Sequence, residues 1–217
     1  MEVTILVDNK DSWFVPYAKE LCSLLCQNGA ETKLIYNQND AKPSDICFLL
    51  SCSRLVKKKF LDQNRHNIVV HASDLPKGKG FSPLQWQILE GKNEIVLTLF
   101  EVVEDVDAGP YYMKEKLVFA GTELLHTLHD KMAKKIIEMC FSYAMNPEEY
   151  SPKEQQGEST FYSKRVEKDD ELDVDQTIRE QFNHLRIADN ENHPVWFRIG
   201  GKKYCIKIYE DQMEDTI

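Results

Sequence analysis

The sequence predicts an α/β protein with a doubly wound, largely parallel (Rossmann-like) sheet and helices on both faces. Short apolar runs typical of buried strands recur along the first part of the chain, and amphipathic runs with helical spacing separate them. Strands that alternate with helices form parallel sheets, because each helix returns the chain to the edge where the previous strand began. The first four predicted strands cover 3–8, 32–36, 45–50 and 67–71.

Start and stop signals bound the predicted helices of this region. A helix over 13–27 carries one apolar face and ends at Asn28-Gly29, and a shorter helix covers 55–63. A third begins at Pro83 and ends before Gly91, because proline fits the first helical turn and glycine the position after the last one.

Two further elements complete the predicted sheet and its cover. A strand over 94–103 is followed by a turn, Asp-Ala-Gly-Pro, at 107–110. Apolar residues at near-i+4 spacing then predict a long helix over 116–145, with His126 and His129 on its solvent side.

The chain divides into two predicted parts. With 217 residues it exceeds one domain of ordinary size, and its composition becomes polar and acidic after residue 146. We therefore expect a main domain over 1–146 and an extension over 147–217. The extension begins with a connector, continues with a helix over 176–187 and ends in a small β-hairpin over 195–209 that turns at a Gly-Gly pair.

Composition excludes several classes of function. Lys and Arg number 27 against 36 Asp and Glu, giving a net charge of −9, which argues against a nucleic-acid partner or an anionic membrane surface. No stretch approaches the ~18 apolar residues of a membrane span and no basic leader is visible, so we expect a cytoplasmic protein. The six cysteines show no CxxC spacing, so we expect core packing and no metal site.

His71 and Asp107 are the candidate catalytic residues. In an open parallel sheet, ligands bind outside the carboxyl ends of the strands, and His71 ends the fourth strand. Asp107 follows the strand over 94–103, so both side chains could meet in one crevice. A carboxylate stabilises a protonated imidazole, which can donate a hydrogen bond to an oxyanion. The alternative is that His71 is only hydrogen-bonded at the end of its strand and has no catalytic role.

The turn after His71, Leu75-Pro-Lys-Gly-Lys-Gly80, is the candidate phosphate-contacting loop. Its glycines let backbone approach a ligand and its lysines, Lys77 and Lys79, offset phosphate charge. The spacing differs from GxxxxGK[ST], so this is not a Walker A loop. Solvated turn lysines remain the alternative interpretation.

Three motifs in fixed order carry a family resemblance. "HASDLP", then "GKGFSPLQWQILEG", then "TLFEVVEDVDAGPYY" resemble the N10-formyltetrahydrofolate-dependent formyltransferases. The segment 157–190 is similar to the one that follows the catalytic domain in methionyl-tRNA and sugar N-formyltransferases. The form LPKGKGFSPLQW is similar to the pseudaminic-acid pathway type, which implies a UDP-linked 4-amino-4,6-dideoxy hexose as the formyl acceptor.

The resemblance also implies roles for individual residues. His71 would stabilise the oxyanion, and Asp107 would orient His71 and help to remove the amine proton. The folate would lie between two loops that contribute Ser51, Ser53, Leu55, Glu104, Asp105 and Val106. The sugar nucleotide would lie against Lys77, Lys79, Gly80, Phe81 and Tyr111, of which Phe81 and Tyr111 could equally be packing residues.

One position departs from the family pattern. The family usually has an asparagine two residues before the histidine, where this chain has Val69, which cannot donate a hydrogen bond. Asn67 starts about 13 Å behind His71 at ~3.3 Å per residue, so Ser51 or Ser53 is the more reachable substitute.

The acceptor is the least determined part of the prediction. The net charge of −9 and the short hairpin in place of a tRNA-binding barrel favour a small-molecule amino-sugar nucleotide over tRNA. Transfer to another amine (an amino acid, a peptide or a ribonucleotide) and an inactive folate- or nucleotide-binding module remain alternatives. The edge strand of the hairpin could pair across a homodimer.

Overall fold

Ten strands form one six-stranded sheet and two small two-stranded sheets in residues 1–211, which the computed structural model describes. Numbered along the chain, the strands are β1 (Glu2–Leu6), β2 (Glu31–Ile35), β3 (Ile46–Leu49), β4 (His66–His71), β5 (Lys79–Gly80), β6 (Glu94–Glu101), β7 (Tyr111–Val118), β8 (Phe161–Tyr162), β9 (Val195–Ile199) and β10 (Lys202–Ile206).

The main sheet has the order β2-β1-β3-β4-β6-β7 and confirms the predicted fold class. Its first four strands are parallel, whereas β6 runs antiparallel to β4, and β7 antiparallel to β6. The sheet is therefore parallel from β2 to β4 and antiparallel from β4 to β7, although helix α3 lies between β4 and β6 in the chain. The predicted hairpin of β9 and β10 is also confirmed.

Five α-helices lie in the described residues: α1 (Val15–Gln27), α2 (Lys58–Leu61), α3 (Pro83–Leu89), α4 (Leu125–Met145) and α5 (Phe182–Arg186). The first predicted helix and the proline-initiated helix are present, each within two residues of its predicted bounds. The predicted helices over 55–63 and 176–187 shrink to short α2 and α5, because residues 55–57 are irregular and turns with hydrogen bonds to Gln181 replace the first residues of the second helix.

The predicted helix over 116–145 is wrong in its first part. Residues 116–118 end strand β7, in which Leu117 is buried and its neighbour Val118 is exposed. The i+4 spacing continues by coincidence across a loop with a left-handed Gly121 (φ +94°), and α4 begins only after Leu124, whose backbone is extended.

The two faces of the sheet bury different side chains, because successive residues of a strand point to opposite faces. Helices α1 and α4 cover one face, where Ile5 and Phe48 are fully buried. A smaller cluster that includes Leu6, Leu49 and Phe60 fills the other face. No helix within residues 1–211 is long and apolar enough to cross a membrane.

The segment after residue 146 packs against the rest of the chain at several points. Strand β8 pairs in parallel with β5, the turn that follows His71. Arg186 of α5 is 1% exposed and pairs with Glu123 at 3.2 Å. Residues 212–217 of the predicted extension lie outside the described residues, and the boundary at 146 stays a prediction.

Candidate functional site

A cleft of about 500 Å³ opens beyond the carboxyl end of β4 and continues over the neighbouring face of the sheet. Its lining includes Val69 and Phe100, two paired residues of β4 and β6. The loops 51–56 and 102–107 form its rims, and the two residues before α1 and one face of α4 form a wall. Ten of the thirteen predicted site residues line it: Ser51, Ser53, Leu55, His71, Gly80, Phe81, Glu104, Asp105, Val106 and Asp107.

His71 lies in this cleft as the last residue of β4 and is 8% exposed. Its Nε2 is 2.8 Å from the carbonyl oxygen of Gly78. Because a carbonyl only accepts, Nε2 carries a proton and donates it to Gly78. The ring is thereby held in one orientation by the turn that follows its own strand.

Asp107 approaches the same imidazole. Its Oδ2 is 3.9 Å from His71 Nε2, which is too long for a hydrogen bond but close enough for electrostatic attraction. The same oxygen accepts a hydrogen bond from the backbone N–H of Gly80 at 2.8 Å. The structure therefore brings the predicted imidazole and carboxylate together. The turn that carries Gly80 lies beside both groups.

The route by which Asp107 reaches His71 differs from the prediction. Because β6 is antiparallel to β4, its carboxyl end pairs with Ile68 and points away from His71. The loop 102–110 folds back along β4: the N–H of Val102 donates to Asn67 O at 2.7 Å, and Asp107 comes to lie beside His71 five residues later.

A half-buried glutamine of the extension holds this loop. Gln155 Nε2 donates to the carbonyl oxygens of Asp107 at 2.9 Å and Gly109 at 2.8 Å. Asp107 has a left-handed backbone (φ +50°), and a Cβ on Gly109 would lie 1.8 Å from Glu101 O. The turn therefore requires glycine and an outside hydrogen-bond donor to keep the Asp107 carboxylate in place.

The glycines of the turn after His71 admit another part of the chain rather than a ligand. A Cβ on Gly80 (φ +97°) would lie 2.4 Å from the carbonyl oxygen of Tyr162 in β8. Lys79 is buried with its Nζ 5.8 Å from the ring centre of Phe161, and Lys77 is exposed.

Lys77, Lys79 and Tyr111 are the predicted site residues that do not line the cleft. Tyr111 begins β7, and its backbone N–H donates to Lys153 O at 2.8 Å. Its ring lies 4.7 Å from the Lys114 ammonium. The structure therefore gathers the predicted catalytic and folate-binding residues in one cleft and leaves three predicted acceptor-binding residues outside it.

The comparisons with known proteins identify the family of this chain. The sequence model described as formyl transferase matches residues 9–141, which include His71 and Asp107. The chain belongs to the formyl transferase family. The family resemblance drawn from the three motifs is thus confirmed.

Two relatives of similar sequence are both methionyl-tRNA formyltransferases. Methionyl-tRNA formyltransferase of Bacillus subtilis is 29% identical over 146 residues, which cover 65% of this chain and 46% of the relative. The match to methionyl-tRNA formyltransferase of Sulfurihydrogenibium covers 47% of that protein. The chain thus spans about half the length of the curated relatives it matches.

Solved structures show the same fold at low identity. Methionyl-tRNA formyltransferase from Clostridium thermocellum has a TM-score of 0.82 at 19% identity, covering 99% of this chain and 95% of that one. A 4-N formyltransferase from Francisella tularensis has a TM-score of 0.72 at 18% identity and covers 98% of both chains. HypX from Aquifex aeolicus, in complex with tetrahydrofolic acid, has a TM-score of 0.79 at 15% identity, covering 95% of this chain and 37% of that one.

The loop after β1 supports the loop that carries Ser51 and Ser53. Asp8 Oδ2 accepts hydrogen bonds from the N–H groups of Ser53 at 2.8 Å and Arg54 at 2.7 Å. Ser51 Oγ is 2.9 Å from Ser12 Oγ. Sequence reasoning missed Asp8, although its position two residues after β1 could have indicated it.

The position two residues before His71, where the family has an asparagine, carries no polar group, as the sequence indicates. Val69 lines the cleft without a polar side chain. Asn67 is 5% exposed and its amide donates to Leu61 O at 3.0 Å, away from His71. Asn67 therefore does not replace the family asparagine, and Ser51 and Ser53 remain the candidate donors.

Two aromatic residues of the cleft wall were also missed. His129, expected on the surface, lines the cleft and stacks on Trp13 with ring centres 3.8 Å apart. Burial lowers the pKa of His129 to about 4, with a smaller contribution from the nearby His126. Within residues 1–211, no three His, Cys, Asp or Glu side chains lie together as a metal site would require.

Proposed function

We propose that this protein transfers the formyl group of N10-formyltetrahydrofolate to the amine of a nucleotide-linked amino sugar, with a UDP-linked 4-amino-4,6-dideoxy hexose as the acceptor. The observation that carries the proposal is the 3.9 Å approach of His71 Nε2 and Asp107 Oδ2 in the cleft of a formyl transferase family member. An imidazole beside a carboxylate supplies both a proton donor and a proton acceptor.

The two loop rims suit the folate. Leu55, Val103 and Val106 are 77%, 39% and 45% exposed at the cleft, which gives apolar surface for a flat pteridine. Ser51 and Ser53 add hydroxyl groups there. The predicted folate contacts are Ser51, Ser53, Leu55, Glu104, Asp105 and Val106. When bound, N10-formyltetrahydrofolate supplies an electrophilic formyl carbon.

His71 and Asp107 divide the proton transfers between them. Protonated His71 has an N–H on both ring nitrogens, so it can donate to Gly78 O and to the formyl oxygen at the same time. Asp107 Oδ2 accepts the proton that the acceptor amine loses as its nitrogen bonds to the formyl carbon. Asp107 then passes this proton to N10 as the bond between N10 and the formyl carbon breaks, so Asp107 ends as a carboxylate and atoms and charge balance.

A second candidate acceptor is an amine without phosphate groups, such as an amino acid or a peptide. The specific observation is charge: the described lining has one guanidinium, Arg54, against the carboxylates of Glu104, Asp105 and Asp107. A diphosphate inside the cleft would find little positive charge, since Lys77 and Lys79 lie elsewhere. Under the leading proposal the diphosphate lies at the mouth, towards the turn that carries these lysines.

The leading proposal also includes the expected type of acceptor, the cellular location and the oligomeric state. The net charge of −9 supports a small-molecule acceptor over a nucleic acid. Cytoplasmic location and a homodimer that pairs through an edge strand of the hairpin are parts of the same proposal. An inactive binding module, suggested by Val69, would bind folate without forming product.

The test compares turnover and folate binding in matched variants. His71→Ala and Asp107→Asn should lower kcat by at least ~100-fold, because each removes a group that acts in the transition state. His126→Ala and Asp62→Asn are the controls, since both residues are exposed and away from the cleft. Near-normal turnover of either cleft variant would refute the assigned roles, and folate binding without product in the wild type would favour the inactive module.

A further inference from the structure

Trp13 is an exposed aromatic residue on the wall of the cleft. It lies two residues before α1 and is 36% exposed, although its neighbour Phe14 is 1% exposed. The catalytic pair makes no use of it. A large apolar ring left open at a cleft commonly marks a binding surface.

The indole is held in a fixed orientation. One face stacks on the imidazole of His129 in α4, with ring planes 13° apart. The rings of Phe14 and Tyr17 meet it edge-on, with centres 5.4 Å and 6.1 Å away. A ring that is already ordered loses little conformational freedom when a ligand stacks on it.

The wall around Trp13 is uncharged at neutral pH. His129 is neutral there, because burial lowers its pKa to about 4. Met132 and Ile136 lie three and seven residues further along α4, so they share the helix face of His129 and line the same cleft. The carboxylates of the cleft belong to the loop 104–107 instead. This wall therefore suits a flat, neutral ring.

We propose that Trp13, backed by His129, is the subsite for the nucleobase of the formyl acceptor, a subsite that rests on the proposed transfer to a nucleotide-linked amino sugar. A nucleobase is planar and uncharged, and its stacking on an aromatic side chain contributes roughly 1–3 kcal/mol. Stacking gives the acceptor an attractive contact in a cleft whose fixed charges are mostly negative.

Fluorine NMR of protein labelled with 5-fluorotryptophan tests the subsite directly. The chain has three tryptophans, so Trp13→Phe assigns one of three resonances. UMP is the probe, and ribose 5-phosphate, which lacks the base, is the control. We expect UMP to shift the Trp13 resonance, ribose 5-phosphate to leave it in place, and the resonances of Trp86 and Trp196 to stay unchanged.

Kinetics separate this subsite from the reaction itself. With a nucleotide-linked amino sugar, Trp13→Ala should raise the KM for the acceptor roughly ten-fold while kcat and the KM for the formyl donor stay within about two-fold. Trp13→Phe and His129→Phe keep a stacked pair and should retain most of the affinity.

The outcomes distinguish the two proposals. A nucleotide sugar that is formylated with an unshifted Trp13 resonance and an unchanged KM in Trp13→Ala would overturn the nucleobase subsite and leave the proposed function intact. Formyl transfer only to amines without a nucleotide, with no shift by UMP, would overturn both.

Discussion

At the residue scale, the position of the Asp107 carboxylate depends on a residue that the sequence did not single out. Gln155 donates to the carbonyl oxygens of Asp107 and Gly109 from the segment after residue 146. Nothing in the residue types marks this contact, because a glutamine in a polar segment is ordinarily solvated. His71 and Asp107 could be predicted, since both occur in motifs with fixed spacing.

Replacing Gln155 should reduce activity more than the same change next to it. Gln155→Ala removes both hydrogen bonds to the turn, so Asp107 loses its fixed position and kcat should fall roughly ten-fold, with a stability loss of about 1–3 kcal/mol. Gln156→Ala is the matched control because Gln156 is exposed. Steady-state kinetics and urea unfolding measure both effects, and equal kcat in the two variants would contradict the role.

A single residue, His129, makes the stability of the protein depend on pH. The pKa of His129 falls from an ordinary 6.5 to about 4, mainly through burial; Asp189 opposes the shift and His126 adds to it. Between these values the unfolded chain binds a proton that the folded ring does not, so this contribution is complete above pH ~6.5 and is lost as the pH falls towards 4.

Comparing pH 7 with pH 5 checks this sign. After allowance for the partial exposure of the ring, the free energy of unfolding should drop by roughly 1 kcal/mol more in the wild type than in His129→Phe. Urea unfolding at the two pH values measures the difference. An equal drop in both proteins would show that His129 does not titrate as its burial requires.

At the element scale, the alternation of strands and helices was enough to predict the parallel half of the sheet. It was not enough for the other half, because the direction of β6 depends on tertiary pairing with β4. Strand β7 was mistaken for a helix, since Leu117 fits both an apolar helical stripe and an alternating strand. The rule that ligands bind at the carboxyl ends of parallel strands placed Asp107 beside His71 correctly, but only because the loop 102–110 folds back along β4.

The pairing of β5 with β8 explains the glycines of the turn after His71. Gly80→Ala would place a Cβ 2.4 Å from Tyr162 O, whereas Gly157→Ala has a similar left-handed backbone (φ +106°) with no atom within 4 Å. Both variants carry backbone strain of about 1 kcal/mol, and only the first adds a clash with backbone.

We therefore expect Gly80→Ala to lower Tm and kcat more than Gly157→Ala. The N–H of Gly80 donates to Asp107, so displacement of the turn disturbs the carboxylate as well. Thermal unfolding and kinetics of the two variants test the pairing. Equal Tm and kcat in both variants would mean that β8 shifts to make room for the added Cβ without loss of stability or activity.

At the scale of the whole molecule, the cleft is assembled from distant parts of the chain. His71 follows β4, Asp107 lies on the loop after β6, and Gln155 comes from the segment after residue 146. The sequence predicted the fold class and family because local periodicity and motifs carry both. It did not predict that Lys77 and Lys79 lie off the cleft, since a turn pattern does not say which side a neighbouring strand will cover.

The most direct test of the central claim follows a labelled formyl group. N10-formyltetrahydrofolate with a ¹³C-formyl carbon is incubated with a panel of UDP- and dTDP-linked amino sugars and of amino acids, and each acceptor is examined by mass spectrometry. We expect the wild type to place the labelled formyl group on the amine of a nucleotide-linked amino sugar and His71→Ala to leave that sugar unlabelled. Label on no acceptor, or equal labelling by the wild type and His71→Ala, would contradict formyl transfer in this cleft.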